Sequence, residues 1–228
     1  MMLRRAVVLG MVVSGLLAGA PAVADEPKEP LRTEIPEEIL AGTPPDVLSM
    51  LFPHLEMPKP AKDAELLVPK GTVNLALKKN VTASDMRPII GELNFVTDGK
   101  KEGTEQGYVE LGPGEQWVQI DLEKPSEIYA IYLWHFFREA RSYHDVVVQV
   151  ADDAEFTKNV QTVFNNDQDN TLKKGVGKGR AYIETNLGKL IDAKGLRGRY
   201  VRLYSNGNTA NDLNHYVEVE VFGRPVEP

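Results

Sequence analysis

From Gly71 onward the chain alternates apolar and polar residues, and that pattern constrains the fold more than any other feature. Trp117-Val118-Gln119-Ile120-Asp121-Leu122 runs with period two, as do Arg199 to Tyr204 and Tyr216 to Phe222. A strand turns successive side chains to opposite faces, so such a pattern describes strands with one buried face. Ile128 to Phe137 and Val146 to Val150 are continuous apolar runs, as buried strands are. Turn chemistry separates the runs: Asp98-Gly99, Pro113-Gly114, Asn165-Asn166-Asp167 and Asn206-Gly207-Asn208. No helix-period segment of useful length follows Gly71. Many short strands predict an all-β, antiparallel sandwich or barrel. Pairing of its first and last strands would bring the ends together.

The residues before Gly71 read differently. Residues 1–24 resemble a secretory signal peptide: Arg4 and Arg5 lead an apolar run from Ala6 to Ala18, and Ala22-Val23-Ala24 offers small residues for cleavage after Ala24. The run is too short to span a bilayer, which needs ~20 residues. The expectation is a secreted or periplasmic protein without a transmembrane segment. Residues 25–70 are rich in proline, which fixes φ and cannot donate to a ladder. They form a semi-rigid spacer or an arm strapped to the domain by Ile35, Leu40, Leu48, Leu51 and Phe52, with single helical turns at Thr33–Leu40 and Pro45–Phe52. The domain itself is expected over 71–225. Cysteine is absent, which removes disulfide frameworks and thiolate chemistry. A formal charge of -7 argues against a nucleic-acid binder, which needs basic surface.

Six segments, in order, resemble the discoidin family: the coagulation factor V/VIII type C domains and the family 32 carbohydrate-binding modules, with a galactose-binding-like fold. They are Asn74 to Ser84, Val96-Thr97-Asp98-Gly99-Lys100, Gln116 to Leu122, Val148 to Asp153, Arg199 to Leu203 and Glu218 to Gly223. The resemblance covers Gly71 to Arg224. It implies a jelly-roll β-sandwich with long loops at one end, where alternation alone leaves the type of sandwich open. It further implies a structural Ca²⁺, held by the carboxylates of Asp98 and Glu218 and the carbonyls of Phe95, Lys100, Gly103 and Val217. Gly103 stands where the family often has a threonine, and Thr104 follows it. The alternative is that Asp98 caps its own turn and Glu218 faces solvent.

Two loops carry the composition that saccharide recognition needs. Trp134 to Asp145 mixes aromatic faces, which stack on the C–H side of a pyranose, with histidines and arginines that donate to hydroxyls. Arg141, Tyr143, His144 and His135 are its candidate contacts; the alternative is that the aromatics are core and the charges decorate a turn. Ser205 to His215 is rich in amides and adds Asn214 and His215, though a plain turn would use the same residues. Asn165 to Asn170 holds acidic oxygens for a second cation. Lys173 to Arg180 is basic and glycine-rich; it reads as a flexible loop and could meet an acidic polysaccharide. The histidines at 54, 135, 144 and 215 have no helical zinc spacing, and no G-x-S-x-G elbow occurs. The expected function is non-catalytic binding of carbohydrate or a cell-surface glycan. A protein–protein adhesion module using the same loops is the alternative, and a small hydrolase is a third.

Overall fold

The computed structural model describes residues 26–37, 43–56, 65–104 and 107–226. In chain order these form β1 (Lys28–Pro30), α1 (Pro45–Leu51), β2 (Leu67–Pro69), β3 (Val73–Asn74) and β4 (Val81–Ala83). A 3-10 helix (Leu93–Thr97) precedes β5 (Val109–Leu111), β6 (Glu115–Trp134), β7 (Val147–Ala151) and β8 (Gln161–Asn165). β9 (Lys189–Asn206), β10 (Asn214–Tyr216) and β11 (Glu218–Pro225) close the chain.

Two long strands build the sandwich. β6 and β9 pair antiparallel from Glu115↔Asn206 to Leu133↔Lys189. Their register slips between Asp121 and Ser126. There Pro125 has no N–H to contribute, and Glu123 turns to a φ of 67°. On one side of the slip, β6 takes β4 as a second partner and β9 takes β7, which carries β8 at the sheet edge. On the other side, β6 pairs β11 and β11 pairs β3. The two halves share one interior: Val118 and Ile120 from the first meet Ile131, Leu133, Val219 and Val221 from the second, all 0% exposed. Each such side chain stabilises the fold by about 1.5–3 kcal/mol relative to exposure. The architecture is the antiparallel jelly-roll sandwich that the segment order implies, and β3 pairing with β11 joins its first and last strands.

The unbroken apolar run in β6 has a structural reason. Ile131 and Leu133 face the shared interior, while Ala130, Tyr132 and Trp134 face outward into a second cluster with Val217 and Phe222. Leu31 and Leu66, from before the sandwich, pack on that cluster. A strand covered on both faces needs no polar alternation.

The segment before the sandwich is also attached by polar contacts. β1 pairs β2. Asn186 Nδ2 donates to the Pro36 carbonyl, and the Glu56 amide to the Ala181 carbonyl. Of the side chains expected to strap it, Leu51 is 66% exposed, Phe52 48% and Ile35 39%. Leu48 is half-buried, and Leu40 lies outside the described residues. The turn at Pro45 forms as α1, whereas Thr33 to Glu37 are not helical. The expected signal segment also lies outside the described residues. Among those described, no helix is long and apolar enough to cross a membrane.

Candidate functional site

Two loops at one end of the sandwich are joined into a single platform. The β6–β7 loop and the β9–β10 loop exchange backbone hydrogen bonds: His144 N–H to Gly207 O at 3.0 Å, Asn206 N–H to His144 O at 3.0 Å, and Thr209 N–H to Ser142 O at 3.0 Å. The Ser142 amide also donates to Thr209 Oγ1. Asn214, 0% exposed, ties this platform to the β5–β6 turn. Its Oδ1 accepts from Ser205 Oγ and the Gly207 amide, and its Nδ2 donates to the carbonyls of Gly112 and Gly114. Glu139, His144, Thr209, Asn211 and Asp212 remain exposed on the rim.

Beneath the rim lies a buried polar network. His135 stacks on Tyr143 with centroids 4.2 Å apart, and its Nδ1 meets Glu184 Oε1 at 2.6 Å. Tyr143 Oη meets His215 Nδ1 at 2.9 Å, and His215 Nε2 meets Glu110 Oε2 at 3.0 Å. Burial pushes the Tyr143 hydroxyl well above its ordinary pKa, so it keeps its proton and donates to His215. Burial, with Arg141 and His135 nearby, pulls His215 down to about 3. The imidazole is therefore neutral, and its Nε2–H faces Glu110 as a hydrogen-bond donor, not as half of an ion pair. Burial in turn raises Glu110. Arg141 lies 4.7 Å over the Phe136 ring and pairs with Glu139. His135 Nε2, Arg141 Nε, Tyr182 Oη and Glu184 Oε2 are buried without a hydrogen-bond partner in the structure.

Of the six expected ligand contacts, only His144 faces solvent. His135, Arg141, Tyr143, Asn214 and His215 are at most 5% exposed. Their side chains hold the platform from below, so direct contact passes to rim residues that composition could not separate from them. Asn211 and Asp212 belong to the same amide-rich loop, but only the fold shows that they point outward while Asn214 points in. Glu184, the partner of His135, comes from a segment 49 residues away and carried no sequence signal.

The second assembly surrounds β11. Glu218 and Glu220 alternate with core valines, and that pattern alone would send both to solvent. The 3-10 helix, its Asp98 turn and the Thr33 region cover that face, leaving Glu218 0% and Glu220 6% exposed. Glu220 is answered: Lys101 Nζ lies 2.8 Å from its Oε1 and Thr33 Oγ1 donates to its Oε2 at 2.6 Å. Lys101 also bonds Thr33 Oγ1 and the Glu34 carbonyl, and sits 4.7 Å over the Trp134 ring. Glu218 receives only the Gly99 amide, at 3.2 Å, and its Oε1 is buried without a partner. Burial, with Glu220 and Asp98 adding repulsion, pushes its carboxyl up to about 9. Asp98 Oδ1 accepts the Lys100 amide at 2.8 Å, closing the turn. Gly103 lies against Val217 and Phe137. The Gly99 amide thus brings the Asp98 turn to Glu218. A hard-oxygen cation site fits the donors present, above all the orphaned Glu218 oxygen.

No protein-family model and no curated protein matches the chain. Among solved structures it is similar to a family 89 glycoside hydrolase from Clostridium perfringens in complex with 2-acetamido-1,2-dideoxynojirmycin. The identity is 17% and the TM-score 0.51, over 68% of this chain and 15% of that one. The fold is the galactose-binding-like, discoidin-type sandwich. The CBM32 of AlyQ, in complex with 4,5-unsaturated mannuronic acid, is also found, at 19% identity and TM-score 0.46 over 63% of this chain and 93% of that one. So is a fucose binding module from Streptococcus pneumoniae, at 19% identity and TM-score 0.45 over 65% and 96%. Because this chain spans 15% of the hydrolase, the likeness concerns a part of that protein and not its whole length. Within the discoidin-type sandwich described here, the zipped platform lies at the loop end and the two glutamates lie on the outer face of the last strand.

A third group forms at the loop end. Asp145, Asp167 and Asp169 bring carboxylate oxygens within 4.8 Å of one another. The Asn165–Asn170 loop was a candidate for a second cation, and the fold adds Asp145 to it. Asp167, however, is buried and closes its own loop: its Oδ1 accepts from the Thr171 amide and its Oδ2 from the Leu172 amide. Asp145 accepts from Asn206 Nδ2.

Proposed function

We propose that this chain is an exported, non-catalytic module that binds carbohydrate at the loop platform and carries a structural calcium ion. The observation that supports it is the platform itself: two loops zipped together, fixed from below by an enclosed hydrogen-bond network, presenting His144, Asn211, Asp212, Glu139 and Thr209 to solvent. Sugar hydroxyls demand donors and acceptors already in place, because each hydrogen bond mainly replaces one to water and nets only about 0.5–1.5 kcal/mol. A rim that needs no ordering on binding keeps that gain. The neighbouring titratable pairs, Glu184–His135 and Glu110–His215, are enclosed beneath the rim, out of reach of a glycosidic bond resting on it. That favours binding over turnover.

Calcium would be held by the Asp98 and Glu218 carboxylates with carbonyls of Phe95, Lys100, Gly103 and Val217. It would supply the positive charge that Glu218 lacks and join the Asp98 turn to the last strand. A glycan array tests the function. Saturable, sugar-competable binding that falls in His144→Ala and Asp212→Ala, with unchanged melting temperature, supports the reading. Silence across neutral and acidic glycans overturns it and favours a protein partner at the same loops. Turnover of chromogenic glycosides, lost on one carboxylate substitution, overturns the non-catalytic part.

A further inference from the structure

The basic loop read from sequence as flexible is built into the fold. Residues 175–179 fold back along the continuation of β8. The Gly177 amide donates to Asp167 O at 2.7 Å and the Gly179 amide to Asn165 O at 2.8 Å. Asn165 Nδ2 donates to Gly175 O at 2.8 Å, Gln168 Nε2 to Gly179 O at 3.0 Å, and the Gly175 amide to Asn170 Oδ1 at 2.8 Å. The approach is so close that only glycine fits. A Cβ on Gly177 would lie 2.4 Å from Asn165 Oδ1, and one on Gly179 would lie 2.8 Å from Asn165 O. The glycines press the loop onto β8 and leave its lysines beside a groove.

That groove has a volume of about 470 Å³ and runs along β8, the terminal strand of its sheet. One wall is Thr162 to Asn165; the other carries Lys174, Val176 and Lys178. Apart from the Asn165 carbonyl, which the Gly179 amide occupies, the terminal strand offers backbone donors and acceptors that no neighbouring strand uses. Phe164, half-buried, adds an aromatic ring to the lining. No carboxylate lines the groove, although the chain as a whole has a charge of -7. Lys174 leans over the Tyr204 ring and lies 3.6 Å from Glu115. Among the described residues, Lys173, Lys178 and Arg180 are exposed and make no ion pair.

We infer that this groove is a second saccharide contact, selective for an anionic chain bearing carboxylate or sulfate groups. The inference rests on the reading of the molecule as a carbohydrate binder, but it assigns charge recognition to β8 and the 174–178 lysines, residues outside the platform rim. The lysines supply the attraction and the strand edge supplies hydrogen bonds to hydroxyls.

Affinity electrophoresis and calorimetry of the full chain test it, with polygalacturonate for carboxylate, chondroitin sulfate for sulfate and dextran as the neutral control. Expected is binding of at least one polyanion, weakening as salt rises from about 50 to about 500 mM. The Lys174→Gln/Lys178→Gln pair should weaken it about tenfold, as expected for two exposed ion pairs. The single exposed Lys178→Gln should weaken it less without touching the fold, so loss of structure in the double variant cannot hide the answer. Equal affinity in the lysine variants, or equal retention on dextran, overturns the inference. Binding of neutral glycans at the platform with no polyanion binding overturns the groove alone; absence of both overturns the carbohydrate reading with it.

Discussion

Glu218 carries the sharpest chemistry of any single residue here. Its neighbour on the same face, Glu220, has the Lys101 ammonium at 2.8 Å; Glu218 has one amide and a bare oxygen. Without a cation, its carboxyl keeps a proton up to about 9, against 4.5 when unfolded. The unfolded chain gives up that proton first, so the calcium-free fold should lose stability as pH rises from 4.5 to about 9. Calcium should flatten that slope and release about one proton per ion at neutral pH. Glu218→Gln should melt no lower than the calcium-free wild type, yet lose the rise in melting temperature on adding calcium. Scanning calorimetry with calcium and with EDTA measures both, and a calcium response that survives the substitution would remove the site. His215 acts in the opposite sense. Its folded pKa of about 3 lies below its ordinary 6.5, so its contribution is lost as pH falls through that window. Denaturant midpoints for His215→Gln should fall less steeply below pH 6.5 than those of the wild type.

At the scale of elements, the sequence was readable where one face of a strand decided its pattern and unreadable where a distant segment covered the other face. The alternation of β11 predicted its inward valines correctly, and the same pattern sent Glu218 and Glu220 outward. Nothing in Val217 to Phe222 reveals that Thr33, Glu34 and Lys101 close over them, because that cover comes from up to 187 residues away. The platform shows the same division. Aromatic, histidine and arginine residues marked one loop and amides the other, but inside and outside residues such as Asn214 and Asn211 look alike in sequence. Two substitutions probe these joints. Asn214→Ala strips four hydrogen bonds from the interior and should cost about 1–3 kcal/mol or more, with faster exchange of the Gly207 amide. Lys101→Met leaves Glu220 buried beside Thr33 alone. It should cost about 3–5 kcal/mol and open residues 26–37 to limited proteolysis. If proteolysis there is unchanged, those residues do not depend on the lysine contact.

Seen whole, the molecule is one folded ribbon of β6 and β9 whose interior holds the ends together and whose loop end is stiffened by internal hydrogen bonds. The order of the segments disclosed that architecture; the glycine-clamped groove and the buried network were not disclosed, since both depend on contacts between segments that have no pattern of their own. The account stands or falls on the rim acting as a ready-made contact surface. Amide chemical-shift mapping of the labelled chain, titrated with the best ligand from the array, tests that most directly. It should perturb residues 138–146 and 206–213 while the amides of the β6–β9 ladder stay in place. Shifts spread through the ladder, or confined to other surfaces, would contradict it.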